Sequence, residues 1–341
     1  MRAAIFSEHG GPEVVHVSEI ETPEPGPGQV RIAVRAASLN HLDLWVRRGL
    51  PFEIPMPHIG GSDVAGVVDA LGPGVEDVAV GTRVVVDPSL NYGWYGGLGR
   101  GPSVTDPPFG VLGEHTQGGL AEFCVVPAAN LLELPGDVPF ERAAAAALSF
   151  VTAWHALLGR GGLQPGESVL VTGASGGVAT AAIQIAKLVG ARVYAVTSGA
   201  DNVGRVEALG ADVVYDRLEV DFSKGVWRDT EKRGVDLVLD SVGEALWEGC
   251  LRSLGIGGRL VTYGGTAGPK VASDVRLIFW KQLSILGSTM GPPEEFRRVM
   301  GLVFEGRLEP VIHSVMPLEE ARKAHELLEA GEVFGKLVLV P

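Results

Sequence analysis

A glycine-rich turn is the segment of this chain best suited to bind a phosphate. Residues 169–179 read VLVTGASGGVA, so an apolar run leads into closely spaced glycines and then into the pattern of a helix at 179–188. Gly173 permits a sharp turn, Gly176 removes a side chain that would block an anion, and unpaired N–H groups at a helix start attract negative charge. This order of elements predicts a dinucleotide site over residues 168–188. The turn residues expected to contact the cofactor are Gly173, Ala174, Ser175, Gly176, Gly177 and Val178.

The end of the next predicted strand indicates which dinucleotide binds. NAD-specific sites carry an acidic residue there, whereas residues 191–199 read ARVYAVTSG and the nearest acid, Asp201, comes late. A site without that acid does not repel a 2′-phosphate, so the sequence favours NADP(H) and leaves NAD(H) open. The residues considered as partners of the adenosine ribose and its phosphate are Thr197, Ser198, Arg205 and Arg217. Each arginine has an equally good interpretation as a solvated surface charge.

The elements that must position this turn change in type near residue 140. Short apolar runs at 30–36, 64–70 and 83–86, separated by Gly and Pro, predict a small β-barrel or sandwich in the first third. Beyond residue 140, predicted strands and helices alternate, which is typical of a doubly wound parallel sheet covered on both faces. The predicted strands are 168–172, 192–197, 212–215, 235–240, 258–263 and 283–287. The predicted helices are 179–188, 202–209, 245–254 and 294–305, followed by a tail helix at 318–329 and a strand at 336–340.

Composition excludes several classes of protein. The chain has 341 residues, 46% hydrophobic and 20% charged, which predicts two folded domains of α/β class. A net charge of −13 disfavours a nucleic-acid or membrane surface as partner. The apolar stretch 143–158 is too short to span a bilayer and predicts a buried helix. Two isolated cysteines, Cys124 and Cys250, fit a reducing, cytoplasmic location.

Several motifs together resemble those of the medium-chain dehydrogenase/reductase superfamily. They are GGSDVAG at 60–66, GTRV at 81–84, GGLAEF at 118–123, TAWHAL at 152–157, the glycine turn, and FGKLVL at 334–339. The resemblance implies a GroES-like β-barrel domain at 1–133, completed by the tail 309–341, and a Rossmann domain at 134–308. It also implies that Thr152 contacts the nicotinamide. Since ligands lie at the carboxyl ends of parallel strands, we expect Val242, Gly264, Gly265 and Thr266 to line the cofactor as well.

The sequence departs from the zinc alcohol dehydrogenases of this superfamily at each position that would bind the catalytic metal. Asn40 stands where the family has a cysteine, Ser62 and Asp63 replace the His-Glu pair, and Leu148 or Ser149 replaces the last ligand. These substitutions remove the nitrogen and sulfur ligands that zinc needs, so no zinc is expected. A rebuilt site from His41, Asp63 and His115 is a weaker alternative.

A second departure concerns residues 90–119, where the family's structural zinc lobe would lie. This segment holds no cysteine but contains Tyr92, Trp94 and Tyr95. These aromatic residues could form a lid over a planar substrate or simply fill the space of the lost lobe, and we favour the second interpretation.

These departures are similar to the zinc-free, quinone-oxidoreductase-like branch, whose Asn-x-x-Asp spacing matches Asn40 and Asp43. Asn40 is expected to donate an N–H to the substrate oxygen or the nicotinamide ribose, and Asp43 to hold Asn40 in place. Asp43 can also be interpreted as a helix-capping residue. His41 can be interpreted either as a proton donor or as a structural histidine.

Without a metal to stabilise an alkoxide, hydride reduction of a quinone, enone or similar activated carbonyl is favoured. The alternatives are an alcohol dehydrogenase and a non-catalytic dinucleotide-binding sensor or structural protein. We also expect a homodimer, because the last strand of the parallel sheet, 283–287, would otherwise expose an apolar edge.

Overall fold

The computed structural model describes residues 1–92 and 109–341. Trp94 and Tyr95, two of the three aromatic residues of the lid hypothesis, lie outside the described residues, whereas Tyr92 is described and buried. The chain divides into two compact units: unit 1 comprises Met1–Val151 and Gly291–Pro341, and unit 2 comprises Thr152–Met290. The predicted boundaries, 133/134 and 308/309, differ from this division. Most of the helix after residue 139 and all of the helix after residue 292 fall in unit 1.

Unit 1 is built mainly from antiparallel β-strands. Its strands are β1 (Arg2–Phe6), β2 (His16–Glu19), β3 (Gln29–Ser38), β4 (His58–Ile59), β5 (Asp63–Leu71), β6 (Arg83–Val86), β7 (Ser89–Leu90), β8 (Gly110–Val111), β9 (Phe123–Pro127), β10 (Leu131–Glu133), β17 (Ile312–Pro317) and β18 (Lys336–Val340). Its helices are α1 (His41–Arg48), α2 (Phe140–Trp154, which runs into unit 2), α8 (Pro293–Phe304) and α9 (Ala321–Glu329).

The main sheet of unit 1 joins the two ends of the chain. Among the described residues its strand order is β10-β6-β5-β3-β18-β17, and β9 also pairs with β3. Strand β18 lies antiparallel to β3, with Val338 opposite Ser38 and Leu339 opposite Ala37. Alternate residues of β3 are buried at Val30, Ile32 and Val34, so the strand places one face in the core. The predicted completion of the barrel domain by the tail follows from this pairing.

Unit 2 contains a parallel sheet with the strand order β13-β12-β11-β14-β15-β16. Its strands are β11 (Ser168–Val171), β12 (Arg192–Thr197), β13 (Val213–Asp216), β14 (Val235–Asp240), β15 (Leu254–Thr262) and β16 (Ser284–Gly287). Its helices are α3 (Gly177–Leu188), α4 (Ala200–Ala208), α5 (Phe222–Asp229), α6 (Trp247–Ser253) and α7 (Val275–Lys281), with a π-helical turn at His155–Arg160. This doubly wound arrangement confirms the predicted α/β class.

Three helices of the structure were not predicted from the sequence, and one strand begins earlier than predicted. Helices α1, α5 and α7 are short, and α7 exposes Val275, Phe279 and Trp280, so its apolar residues form no inward-facing stripe. Strand β15 begins at Leu254, which the sequence had predicted to end a helix. In the described part of the chain, no helix is both long enough and apolar enough to cross a membrane.

Candidate active site

The glycine turn, defined here as residues 172–178, connects β11 to α3. Gly173 has a φ of +59°, a conformation that L side chains rarely adopt, and a Cβ there would lie 3.3 Å from Val242 Cγ2. The turn is fixed by backbone hydrogen bonds from Ala174 N to Val196 O, at 3.0 Å, and from Gly176 N to Gly173 O, at 2.9 Å. The sequence needs glycine at position 173 because the chain reverses there.

The start of helix α3 is suited to an anion. Gly176 is the N-cap residue and, within the described chain, no side chain accepts a hydrogen bond at this cap. The first helical bond runs from Thr180 N to Gly176 O, at 2.9 Å. The amides of Gly177, Val178 and Ala179 precede that bond and add to the positive end of the helix dipole. The residues present therefore fit a pyrophosphate, as predicted from the sequence.

A buried carboxylate that the sequence analysis missed connects the glycine turn to the next turn of the sheet. Asp240, at the end of β14, accepts a hydrogen bond from Thr172 Oγ1 at 2.6 Å, and further ones from Val242 N at 3.2 Å and Gly243 N at 3.0 Å. Burial raises the pKa of Asp240, and the bonds from Thr172, Gly243 and Val242 oppose that shift. Asp240 thus fixes two turns that border the cofactor region.

The turns after β14 and β15 pack against each other. Thr266 N donates to Ser241 O at 3.0 Å, and Gly264 lies so close that a Cβ would be 3.2 Å from the same oxygen. Ala267 N donates to Val242 O at 2.9 Å. Structure and prediction agree here in one respect: Val242, Gly264, Gly265 and Thr266 belong to one pair of neighbouring turns at the carboxyl ends of the strands.

The end of β12 presents both polar groups and a carboxylate. Thr197 Oγ1 is buried and, among the described atoms, has no hydrogen-bond partner. Arg217 lies beside it, since its backbone N donates to Thr197 O at 3.0 Å. Asp216, which the sequence analysis did not consider, accepts a hydrogen bond from Gly199 N at 3.1 Å. A carboxylate from the neighbouring strand β13 therefore lies next to the residues predicted to surround the adenosine ribose. Ser198 O accepts from Asn202 Nδ2 at 3.0 Å.

Two other predicted cofactor residues lie in unit 2. Thr152 is buried, and its hydroxyl lies 3.8 Å from Met290 Sδ. Arg205 belongs to helix α4, in its last turn.

In unit 1, the carboxylate of Asp63 is the centre of a buried polar group of residues, called the Asp63 cluster here: Ser38, Asn40, Asp63 and Lys336. Asp63 Oδ2 accepts from Ser38 Oγ at 2.8 Å, from Asn40 Nδ2 at 2.9 Å and from Lys336 Nζ at 2.9 Å. Asp63 Oδ1 accepts from Leu148 N at 2.6 Å. Lys336 Nζ also donates to Asn40 Oδ1. Asp63 is 0% exposed and Lys336 4%, so this is a buried ion pair with its polar atoms engaged.

Asp43 adjoins the cluster through the backbone of Asn40. Its Oδ2 accepts from Asn40 N and its Oδ1 from Gly61 N, both at 2.7 Å. Burial raises the pKa of Asp43 to about 6, although both backbone bonds and Lys336 oppose the shift. His41 lies at the start of α1, where desolvation and the charges of Lys336 and Arg48 lower its pKa.

A second acidic group lies near Asp43. Burial, followed by the charge of Asp43, raises the pKa of Glu114 to about 7. Its Oε2 lies 3.4 Å from His115 Nδ1. That nitrogen accepts a hydrogen bond from Val111 N at 3.1 Å, so it carries a lone pair and the ring is neutral. A protonated Glu114 avoids the repulsion between this lone pair and a carboxylate. The sequence analysis did not single out Glu114.

The described residues of unit 1 do not fit a catalytic zinc ion. The Asp63 carboxylate already receives four donors and is neutralised by Lys336, while Ser62 and Leu148 supply neither nitrogen nor thiolate side chains. His115 Nδ1 is occupied by Val111 N. Over residues 1–92 and 109–341, no group of three His, Cys, Asp or Glu side chains could hold a metal ion, so the rebuilt site of His41, Asp63 and His115 does not assemble.

The missed residues gave only weak signals in the sequence. Lys336 was noted as part of a tail motif, but its partners Asn40 and Asp63 lie 296 and 273 residues away along the chain. Asp240 was recognised only as the end of a strand. For Lys336, the available signal was its position inside an otherwise apolar strand, because a buried lysine requires a partner.

Comparison with known proteins identifies the family. Residues 26–136 match the family model of the alcohol dehydrogenase GroES-like domain, and residues 177–305 match that of the zinc-binding dehydrogenases. The quinone oxidoreductase of Homo sapiens is 30% identical over 349 residues, which cover 100% of this chain and 98% of that protein. An NAD-dependent alcohol dehydrogenase of Sulfolobus acidocaldarius is 30% identical over 352 residues, covering 99% of each.

A solved structure of an NAD-dependent alcohol dehydrogenase is similar over 100% of both chains, with 43% identity and a TM-score of 0.93. The relatives are oxidoreductases, which sets aside the non-catalytic alternative. Together with the glycine turn, whose amides and dipole suit a pyrophosphate, these similarities show that the chain belongs to the medium-chain dehydrogenase/reductase superfamily and is an NAD(P)-dependent oxidoreductase.

Proposed function

We propose that this protein reduces quinones, enones or similarly activated carbonyl compounds with a reduced nicotinamide dinucleotide, without a metal ion in the Asp63 cluster. The observation that carries the proposal is that Asn40, Ser62 and Leu148 stand at the positions of the zinc ligands, while the neighbouring Asp63 is neutralised by Lys336 Nζ at 2.9 Å. Oxidation of an unactivated alcohol requires stabilisation of a developing alkoxide, which a metal commonly provides. An activated acceptor needs only a positioned donor and hydrogen bonding to its oxygen.

The chain's own residues divide the work. The amides of Gly177 and Val178 and the dipole of α3 bind the pyrophosphate, while Thr152 and the turns at Val242 and Gly264 hold the nicotinamide end. Once bound, the reduced nicotinamide supplies the hydride. In unit 1, Asn40 donates an N–H to the substrate oxygen, and Asp43 holds Asn40 in place through its backbone N–H.

We propose NADP(H) as the preferred cofactor. The support is that β12 ends in Thr197 and Ser198 rather than an acid, and that Arg217 adjoins Thr197 through a backbone hydrogen bond of 3.0 Å. Asp216, which accepts from Gly199 N at 3.1 Å, works against a 2′-phosphate by charge repulsion. Replacing Asp216 by Asn should therefore increase the ratio of the affinity for NADPH to the affinity for NADH. An unchanged ratio would contradict the proposed repulsion between Asp216 and the 2′-phosphate.

An alcohol dehydrogenase is the second candidate. The solved alcohol dehydrogenase structure at 43% identity supports it, and so does Glu114, whose pKa is raised by burial to about 7. A carboxyl that titrates near neutral pH can accept a proton from an alcohol or donate one to a carbonyl. An acid–base group would then do the work of a metal.

One preparation tests both candidates. Protein purified without added metal is titrated with NADPH and NADH, its metal content is measured, and turnover is compared for a 1,4-quinone, an enone and a primary alcohol. We expect tighter binding of NADPH, quinone or enone reduction as the fastest reaction, and unchanged rates after dialysis against a chelator. Stoichiometric zinc that is required for turnover would overturn the proposal, and faster alcohol oxidation would favour the second candidate.

We further propose a homodimer that forms across the free edge of β16. Strand β16 is the last strand of its sheet and Ile285 is 40% exposed, while helix α7 exposes Val275, Phe279 and Trp280 at 66%, 60% and 76%. A two-fold axis would pair the edge with its own copy and cover this apolar surface. Light scattering should give the mass of a dimer, and Ile285→Lys should lower it to that of a monomer. A monomeric wild type would contradict the proposal.

A cytoplasmic location is also proposed. Its support is that Cys124 and Cys250 are both free and buried. Fractionation of cells that express the native gene checks it, and recovery outside the cytoplasm would refute it.

A further inference from the structure

Lys336 is the one cation inside the Asp63 cluster, among the described residues, and the fold brings it there from the other end of the chain. Leu39 N donates to Leu337 O at 3.0 Å where β18 lies beside the end of β3. This pairing sets Lys336 at the first position of β18, across from Asn40. Only 4% of Lys336 is exposed, so its ammonium is committed to partners inside unit 1.

Lys336 and Asp63, the two partners of the Asn40 side chain, fix the orientation of its amide. An ammonium group only donates hydrogen bonds, so the end of the amide that faces Lys336 must be the oxygen, Oδ1. A carboxylate only accepts, so the end that faces Asp63, at 2.9 Å, must be the nitrogen, Nδ2. The alternative amide flip would place two donors together and two acceptors together. Asn40 therefore has a single favourable orientation as long as both charges are present.

This orientation determines what Asn40 can offer to a ligand. One N–H of Nδ2 goes to Asp63, and the second N–H is the donor that remains for a substrate oxygen. Because Oδ1 is held by the ammonium, the amide is polarised and its remaining N–H becomes a better donor. Lys336 thus influences the substrate through Asn40 without contacting it.

We propose that Lys336 is a positioning residue that orients and polarises the Asn40 amide, and that its ammonium supplies the positive charge of the site. This inference rests on the proposed reduction of an activated carbonyl. It adds to that proposal a residue with a defined role, because without Lys336 the Asn40 amide would be oriented by Asp63 alone and its Oδ1 would lose the cationic partner that polarises it.

Two variants and one control test the inference. Lys336→Met removes the charge at similar volume, and Lys336→Arg keeps a cationic donor. Lys323→Met is the matched control, since Lys323 forms an exposed ion pair with Glu320 at 2.8 Å in the same unit. With the acceptor as varied substrate, we expect Lys336→Met to lower kcat by about 10- to 100-fold, as for other misplaced catalytic groups. The KM and the dissociation constant of NADPH should change little. Lys336→Arg should recover much of kcat, and Lys323→Met should match the wild type.

Loss of Lys336 leaves a buried carboxylate without a counter-charge, which could prevent folding. The double variant Lys336→Met/Asp63→Asn removes both charges and covers that case. It should fold and bind NADPH but keep the low kcat, since no charged partner then orients or polarises the Asn40 amide. If a folded single or double variant turns over like the wild type, the role of Lys336 is refuted.

A spectroscopic readout separates this inference from the proposed reaction. The side-chain NH2 signals of Asn40 in a nitrogen-15 spectrum are identified by their loss in Asn40→Asp. We expect these signals to shift in Lys336→Met, to return toward their wild-type positions in Lys336→Arg, and to stay unchanged in Lys323→Met. If the wild type reduces no quinone or enone, the proposed function fails, while the spectrum still reports on Lys336. Signals unchanged in Lys336→Met would overturn the positioning role even in an active enzyme.

Discussion

The glycine turn and the Asp63 cluster bind their partners by opposite means. The glycine turn is one contiguous segment whose binding groups are backbone amides and a helix dipole. The Asp63 cluster is made of side chains from β3, the start of α1, β5 and β18, which meet only when the barrel has closed. A backbone site is therefore specified locally, by residues that leave space for the ligand, whereas a site of charged side chains is specified by long-range strand pairing.

The comparison also predicts how each region can be disabled. Only proline removes a backbone N–H, and it also restricts φ, so the glycine turn is more cleanly disabled by an added group. The Asp63 cluster, in contrast, is disabled by removing one partner from a fully paired set. Four substitutions exploit this distinction, and the first has the largest expected effect.

Gly176→Asp should abolish dinucleotide binding without weakening the fold. Gly176 has a φ of −76° and a ψ of 156°, which any residue adopts, and aspartate is a favoured N-cap that suits the helix dipole. Its carboxylate, however, would face the pyrophosphate. Two like charges about 4 Å apart repel by roughly 4 kcal/mol near a protein surface, which corresponds to about a 1000-fold loss of affinity. Cofactor fluorescence titration measures the loss, and the melting temperature should stay the same or rise.

Gly176→Asn is the matched control, because it caps the helix with a similar side chain that carries no charge. It should bind NADPH far better than Gly176→Asp. Equal losses in the two variants would mean that the bulk of the side chain, and not its charge, excludes the cofactor, and would refute the predicted charge repulsion at this position.

Asn40→Leu should disable the other region and leave cofactor binding intact. The leucine supplies no N–H to a substrate oxygen, and removal of one such donor costs about 100-fold in kcat in other enzymes. The dissociation constant of NADPH should change little, because the amides at the start of α3, and not Asn40, are proposed to bind the pyrophosphate. Steady-state kinetics with the quinone or enone, alongside the titration, make the measurement. A kcat within a factor of about two of the wild type would remove Asn40 from the reaction.

Asp240→Asn tests how far the cofactor site depends on side chains at all. The amide can still accept from Thr172 Oγ1, but its NH2 end would face the N–H of Gly243, which now lies 3.0 Å from Oδ2. Leaving such a buried donor unpaired costs about 1–3 kcal/mol. We expect a lower melting temperature and about a tenfold weaker binding of NADPH, since the turn at Val242 loosens. Asp221→Asn, at the N-cap of α5, is the control, and an equal effect there would contradict a specific role for Asp240.

The same contrast explains what the sequence could and could not predict. The glycine turn and the strands of unit 2 are marked by local patterns, so both were predicted with small errors at their ends. Helix α7 was missed because its apolar residues Phe279 and Trp280 face solvent in the single chain. The zinc-ligand departures at Asn40 and Asp63 were visible in the sequence, but the pairing of both with Lys336 depends on the register of β18 against β3.

The smallest predicted effect concerns the pH dependence of stability in unit 1. Burial raises the pKa of Glu114 from 4.5 in the unfolded chain to about 7. A raised pKa means that the folded state holds the proton more tightly, so this contribution to stability is complete below pH 4.5 and is lost as the pH rises through 7. Glu114→Gln cannot titrate and escapes that loss. The melting temperature of Glu114→Gln minus that of the wild type should be more positive at pH 8 than at pH 5, by a few degrees.

The control for Glu114 is Glu53→Gln, at an exposed position of the same unit, which should give the same difference from the wild type at both pH values. The other titrating groups of unit 1 are common to all three proteins and cancel in these differences, except for the repulsion between Asp43 and Glu114, which is part of what raises the pKa of Glu114. A Glu114→Gln difference that does not change with pH would mean that Glu114 is ionised throughout this range. Glu114 would then not be a protonated acid near neutral pH, and the alcohol dehydrogenase candidate would lose its acid–base group. The role proposed for the Asp63 cluster would be unaffected.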